Sequence, residues 1–200
     1  MIIGIDFDNT IVCYDLFFQK IALEQKLIPE SFSWSTPKSI RDYLRQEGRE
    51  DDWTRLQGYV YGEGLQQAPA HSGAIETIRQ LVYKNQVYII SHRTKTPYLG
   101  PSYDLHKAAF NWLKKQGITG LIKPENIFFE LTKSDKISRI ISTNCQLFID
   151  DLPEFLMDKS LPLKLQKVFF LPNESNNGKY DNLMIVRSWS EIPLLTEGSH

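Results

Sequence analysis

Asp6 and Asp8 stand two residues apart in the opening run MIIGIDFDNT. Ile2, Ile3 and Ile5 around Gly4 read as a buried strand. Alternate side chains of a strand share a face, so Asp6, Asp8 and Thr10 start out on one side of its C-terminal end. Two carboxylates this close repel each other unless a cation lies between them or one of them keeps a proton. Polar groups also close two later apolar runs: Ser91 ends QVYIIS and is followed by His92 and Arg93, and Asp150 and Asp151 lie in FIDDLPE. Lys133 and Lys136 stand in TKSDKISRI, ahead of the last of these.

Such groups meet only if the elements carrying them lie side by side. Six short apolar runs bounded by polar or turn residues read as strands: MIIGID, QVYIIS, ENIFFE, QLFID, KVFFL and LMIVR. Runs of this kind suit a parallel sheet buried on both faces. Between them, residues 73–85 repeat apolar positions at Ile75, Ile78, Leu81 and Val82, and residues 104–117 do so at Leu105, Ala109, Trp112 and Leu113, with Gly117 placed to end the helix. Strands alternating with helices predict an α/β fold, a doubly wound, Rossmann-like three-layer sandwich with a mostly parallel sheet. Ligands of such sheets bind at the C-terminal ends of the strands, where Asp6, Asp8, Ser91, Asp150 and Asp151 are expected. From about Tyr14 to Ala70 the alternation breaks, and this stretch reads as several helices inserted between the first two strands.

Composition narrows the field. With 200 residues, 42% hydrophobic and 24% charged, the chain has material for one core and an insertion. A net charge of −1 and the lack of Lys/Arg runs interleaved with aromatics argue against an extended nucleic-acid ligand. Cys13 and Cys145 have no metal-ligand spacing and no leader precedes the first strand, so a cytoplasmic protein with reduced thiols is expected. No apolar stretch approaches the roughly 20 residues that span a bilayer, so no membrane partner is expected.

DFDNT, then the serine of VYIIS, then a lysine, then FIDD, in that order, resemble the four motifs of the haloacid dehalogenase-like (HAD) superfamily of phosphatases and phosphotransferases. The likeness covers residues 2 to about 155. The helical insertion is similar to that superfamily's type 1 cap, which divides the chain into an α/β core at 1–14 and 71–200 and a cap at 15–70. The resemblance implies that Asp6 is the nucleophile, forming an aspartyl-phosphate, and that Asp8 protonates the leaving group and then activates water. It implies Mg²⁺ as cofactor, held by Asp6, the carbonyl of Asp8 and Asp150, with Asp151 or Glu154 completing the shell. Ser91 and a lysine would bind phosphoryl oxygens. Two lysines compete for that role: a serine-phosphatase-like register selects Lys133 and a deoxyribonucleotidase-like register selects Lys136. With Ser134 or Asp135 as N-cap, Lys136 falls in the first helical turn, where a cation opposes the helix dipole and needs another reason to be there.

Phe7, Thr10, His92 and Arg93 are the candidate substrate-side residues, Arg93 because a guanidinium forks onto a second anionic group. Trp34, Trp53, Tyr59 and Tyr61 could stack on a base or sugar, or anchor the insertion's own core. The activity implied is a Mg²⁺-dependent phosphomonoesterase acting on a small soluble phosphate ester, with nucleotides and sugar phosphates both fitting. Phosphotransferases and phosphomutases use the same residues, and a catalytically silent binding module shares the scaffold. Dehalogenation has no leaving oxygen to protonate, and Asp8 argues against it.

Overall fold

The computed structural model describes residues 1–32, 36–172, 180 and 183–196. In chain order the main elements are β1 (Ile2–Ile5), α1 (Asp15–Glu24), α2 (Pro37–Gln46), α3 (Glu50–Tyr61), α4 (Ala74–Lys84), β2 (Gln86–His92), α5 (Leu105–Lys115), β3 (Ile127–Glu130), α6 (Lys133–Ser142), β4 (Leu147–Asp150), α7 (Pro153–Leu156), β5 (Gln166–Phe170), β6 (Met184–Val186) and α8 (Ile192–Thr196). Packing separates the chain into two compact units. One joins residues 1–12, 70–92 and 116–200, and the other joins 13–69 and 93–115.

The first unit is built on a six-stranded sheet in the order β3-β2-β1-β4-β5-β6, with every pairing parallel. This is the doubly wound α/β architecture. The chain runs outward from β1 through β2 to β3, then returns to the other side of β1 and continues through β4, β5 and β6. The switch of direction falls between β1 and β4, where such sheets open a crevice at the strand ends. Register places Ile5 opposite Ile149, and the Asp6 N–H donates to the Ile149 carbonyl at 2.9 Å. Asp6 and Asp150 therefore emerge from adjacent strands at one level. Gly4 serves the same junction, since a Cβ there would lie 2.5 Å from the Phe148 ring.

Each face of the sheet is buried by helices. Ile90, Phe148 and Phe169 pack with Ile137 and Ile140 of α6 and with Phe155 and Leu156 of α7. The other face bears Phe170 against Trp189, while Ala74, Thr77, Ile78 and Leu81 form the buried side of α4. That side is turned slightly from the expected stripe: Ile75 and Val82 are half-buried and Thr77 is buried, because its hydroxyl donates to the Trp189 carbonyl at 3.1 Å. Helix α6 starts at Lys133, two residues before the start that a Ser134 cap allows and three before that of an Asp135 cap. Its N-cap is Thr132, whose hydroxyl accepts from the Asp135 N–H at 3.0 Å.

In the second unit, α2 starts at a capping box in which Thr36 and Ser39 exchange bonds, with Pro37 in the first turn. Helix α3 opens on Glu50, Asp51 and Asp52, acidic residues suited to a helix N-terminus. Phe18 stacks on Trp53 with centroids 5.3 Å apart, and Tyr14 meets Tyr61 edge-on at 5.1 Å. Trp53 and Tyr61 are thus used in the unit's own packing; Trp34 lies outside the described residues. The apolar stripe of α5 is buried as its spacing predicts, and Trp112 donates its indole N–H to the Ala68 carbonyl at 2.9 Å. Residues 93–115 group with these helices, whereas sequence order alone leaves them with the sheet.

No helix among the described residues is long and apolar enough to cross a membrane. Cys13 is half-buried and Cys145 buried, both as free thiols.

Candidate active site

Strand β1 delivers Asp6 and strand β4 delivers Asp150 to the switch point, and α6 brings a cation between them. The Lys136 ammonium donates to Asp6 Oδ1 and to Asp150 Oδ2, each at 2.6 Å. Lys136 is 3% exposed and Asp150 is 0% exposed, so this pairing lies out of water. The ammonium also lies 4.2 Å from the ring centroid of Phe155 and 5.4 Å from that of Phe148. Asp150 uses its second oxygen to accept from the Leu152 N–H at 2.9 Å, which sets the turn into α7.

Asp151 completes the cluster. One carboxylate oxygen each from Asp6, Asp150 and Asp151 lie within 4.8 Å of one another. Three carboxylates facing one ammonium leave an excess of negative charge, and their protonation reflects it. Burial pushes Asp6 up to about 7, Lys136 opposes the shift, and the charges on Asp150 and Asp8 add to it. Burial likewise raises Asp151 well above the usual carboxylate range, reinforced by Asp150 and Asp6. Burial alone would lower Lys136, but Asp150 and Asp6 outweigh it and hold the ammonium charged.

A cluster of hard oxygen donors with surplus negative charge is the donor set that Mg²⁺ takes, and these residues fit that ion. The Asp8 carboxylate is not part of the three-oxygen set, and Asp8 is half-buried in the turn after β1. Glu154 is exposed on the first turn of α7 and stands outside the set as well.

The remaining expected residues separate into those near this edge and those used elsewhere. Ser91 is buried near the C-terminal end of β2. His92 is exposed, with Nε2 hydrogen-bonded to the Leu131 carbonyl at 3.1 Å. The Phe7 ring is fully buried and meets Phe129 edge-on at 5.6 Å, so this side chain serves the core. Thr10 is buried, and its hydroxyl has no hydrogen-bond partner among the described residues. Arg93 belongs to the helical unit, where its guanidinium donates to the carbonyls of Leu105 and Tyr61 and lies 5.4 Å from the Tyr61 ring centroid. Lys133 pairs with Asp158 at 2.7 Å and leaves Asp6 and Asp150 to Lys136.

Two contributors carry no local sequence signal. Phe155 follows the acidic pair, but nothing in FIDDLPEF says that its ring faces the lysine. Trp189, near the C-terminus, donates its indole N–H to the Thr10 carbonyl at 3.1 Å.

No family model and no curated protein matches the sequence. Solved structures do match, and they define the class: the chain has the fold of HAD-like hydrolases. It is similar to a haloacid dehalogenase-like hydrolase of Streptococcus pneumoniae at a TM-score of 0.66 and 14% identity, covering 98% of each chain. The HAD-hydrolase candidate YfnB of Bacillus subtilis, a structure bound to magnesium, aligns at 0.62 with 15% identity over 98% of each chain. A predicted phosphoglycolate phosphatase of Haemophilus somnus aligns at 0.61 with 17% identity, over 98% of this chain and 97% of its own.

Proposed function

We propose that this protein is a Mg²⁺-dependent phosphomonoesterase that hydrolyses a small soluble phosphate ester through an aspartyl-phosphate on Asp6. The observation that carries this reading is the shared ammonium of Lys136, 2.6 Å from both Asp6 and Asp150, with an Asp151 oxygen beside them at the strand switch point. Support also comes from the fold, which the magnesium-bound YfnB and the predicted phosphoglycolate phosphatase share.

In this reading an Asp6 oxygen attacks phosphorus, a P–O bond to Asp6 forms, and the ester P–O bond breaks. Asp8 gives its proton to the departing ester oxygen and then takes one from the water that attacks phosphorus, releasing inorganic phosphate and restoring Asp6. Lys136 holds one oxygen of Asp6, which fixes the plane of the nucleophile, and offsets part of the charge as the phosphate dianion approaches. Ser91 donates its hydroxyl to a phosphoryl oxygen. Asp6, Asp150 and the carbonyl of Asp8 would hold Mg²⁺, with Asp151 bound directly or through water, and the ion supplies charge neutralisation on the transferring phosphoryl group. The helical residues 15–70 are read as a cap-type insertion after the first strand.

The test is hydrolysis of p-nitrophenyl phosphate and a panel of phosphate esters with Mg²⁺ and with EDTA. Turnover should require Mg²⁺, and Asp6→Asn, close in shape but a poor nucleophile, should fall below about a hundredth of the wild-type rate. Higher residual turnover in a folded Asp6→Asn protein overturns the covalent route, and metal-independent turnover overturns the role of Mg²⁺.

A further inference from the structure

The turn that carries Asp8 is fastened from the far end of the chain. Its backbone folds back on itself, the Phe7 carbonyl accepting from the N–H groups of Ile11 and Val12 at 3.1 Å each. Asn9 sits in the left-handed region at φ 53°, one that few residues other than glycine and asparagine adopt readily. The turn's own side-chain oxygens at these positions do not close it: Asn9 Oδ1 and Thr10 Oγ1 are both buried without a hydrogen-bond partner among the described residues. The Thr10 carbonyl is held instead by the indole N–H of Trp189 at 3.1 Å, a buried bond across 179 residues of sequence.

Trp189 is itself fixed on several sides. Its ring is fully buried, with its centroid 5.9 Å from that of Phe170. Its carbonyl accepts from the Thr77 hydroxyl of α4 at 3.1 Å. A capping box holds the backbone on either side, the Glu191 carboxylate accepting from the N–H groups of Arg187 at 3.0 Å and Ser188 at 2.8 Å. A buried side chain with this many restraints has one donor, and it is aimed at the residue two positions beyond Asp8.

We propose that Trp189 is a positioning residue for Asp8: its indole N–H fixes the turn from Asp6 to Thr10 so that the Asp8 carboxyl meets the departing ester oxygen. The catalytic part of this claim rests on the phosphomonoesterase reading above. A general acid works only within hydrogen-bond reach of the atom it protonates, so loosening the turn penalises leaving groups that need a proton and spares those that do not.

Trp189→Phe removes the donor and keeps an aromatic ring. It should lower kcat/KM for a simple alkyl phosphate at least about fivefold, and for p-nitrophenyl phosphate less than about twofold, because nitrophenolate departs without protonation. kcat/KM reports only the steps through loss of the leaving group, so hydrolysis of the acyl phosphate does not blur the comparison. Amide hydrogen exchange at Ile11 and Val12 should quicken in the same variant. Thr77→Val, which frees the Trp189 carbonyl without touching the ring, should show the same asymmetry at smaller size and serves if Trp189→Phe does not fold. Equal losses on both esters, or unchanged exchange in the turn, overturn the proposal. If the wild-type protein hydrolyses neither ester, the phosphatase reading falls, and the exchange data decide the positional claim by themselves.

Discussion

Lys136 donates to Asp6 at 2.6 Å across 130 residues of sequence, while Lys133, one turn earlier on the same helix, reaches Asp158. The two lysines differ in little but helical position, and that difference decides which one meets the carboxylates. An exposed ion pair such as Lys133–Asp158 contributes little in water, whereas a charge aimed at a transferring phosphoryl group in a closed site contributes far more. Lys136→Ala should therefore lower kcat at least about tenfold, and Lys133→Ala should change it less than about threefold. Steady-state kinetics of both variants checks this, and a reversed pattern would assign the role to Lys133.

Phe155 offers its ring to the same ammonium, with its centroid 4.2 Å from the nitrogen. A desolvated cation over an aromatic face gains about 2 kcal/mol. Phe155→Leu keeps the site apolar and removes that face, and it should lower kcat about fivefold with a smaller change in KM. A folded variant with full kcat would mean that the two carboxylates alone suffice to place Lys136.

Asp150 is the ligand candidate whose loss is easiest to separate from loss of the nucleophile. It is fully buried, and the amide in Asp150→Asn can still accept from Leu152. Activity should fall and recover in part at high Mg²⁺, because a weaker donor raises the ion concentration needed to fill the site. A Mg²⁺ titration of initial rate follows this directly, and an unchanged midpoint would remove Asp150 from the metal shell.

All six strands were legible because a parallel sheet buried on both faces needs short continuous apolar runs, and runs such as QVYIIS and KVFFL have no competing helical period. Their order was legible only as a class, since register and neighbour choice depend on packing such as Gly4 under Phe148. The acidic pairs stood out for the same reason that they are costly: like charges at adjacent strand ends are rarely neutral in effect. The cap of α6 was missed by two to three residues, because Thr132, Ser134 and Asp135 are all competent N-caps and only the backbone at Thr132 is extended. Arg93 reads as a candidate anion ligand from its place after Ser91; that its guanidinium also donates to the Leu105 and Tyr61 carbonyls of the helical unit is announced by no local pattern. The Trp189 bond to Thr10 closes a loop of nearly the whole chain, beyond the reach of any spacing rule.

The protonation of the cluster gives a stability signature with a definite sign. Burial raises Asp6 to about 7, with Asp150 and Asp8 adding and Lys136 opposing, and it raises Asp151 as well. A carboxyl with a higher pKa in the folded chain holds a proton that the unfolded chain has already released. Unfolding then releases protons, so stability falls as pH rises from the unfolded value near 4, and for Asp6 this continues to about 7. Asp158 acts below that window: the bond from Lys133, with help from Ser160, lowers it to about 2, so its contribution is complete above about pH 4 and is lost as pH falls toward 2. The raised pKa of Lys136 contributes throughout, being lost only as pH rises above about 10.5. In EDTA, Asp6 and Asp151 should therefore lower the Tm between about pH 5 and pH 7.5, and Asp6→Asn, which cannot ionise, should show a shallower fall. Added Mg²⁺ should raise the wild-type Tm more at about pH 7.5 than at about pH 5, because binding must displace the protons at the lower pH. Calorimetric scans of both proteins across this range supply the test; matching slopes for wild type and Asp6→Asn would show that Asp6 does not keep its proton in the fold.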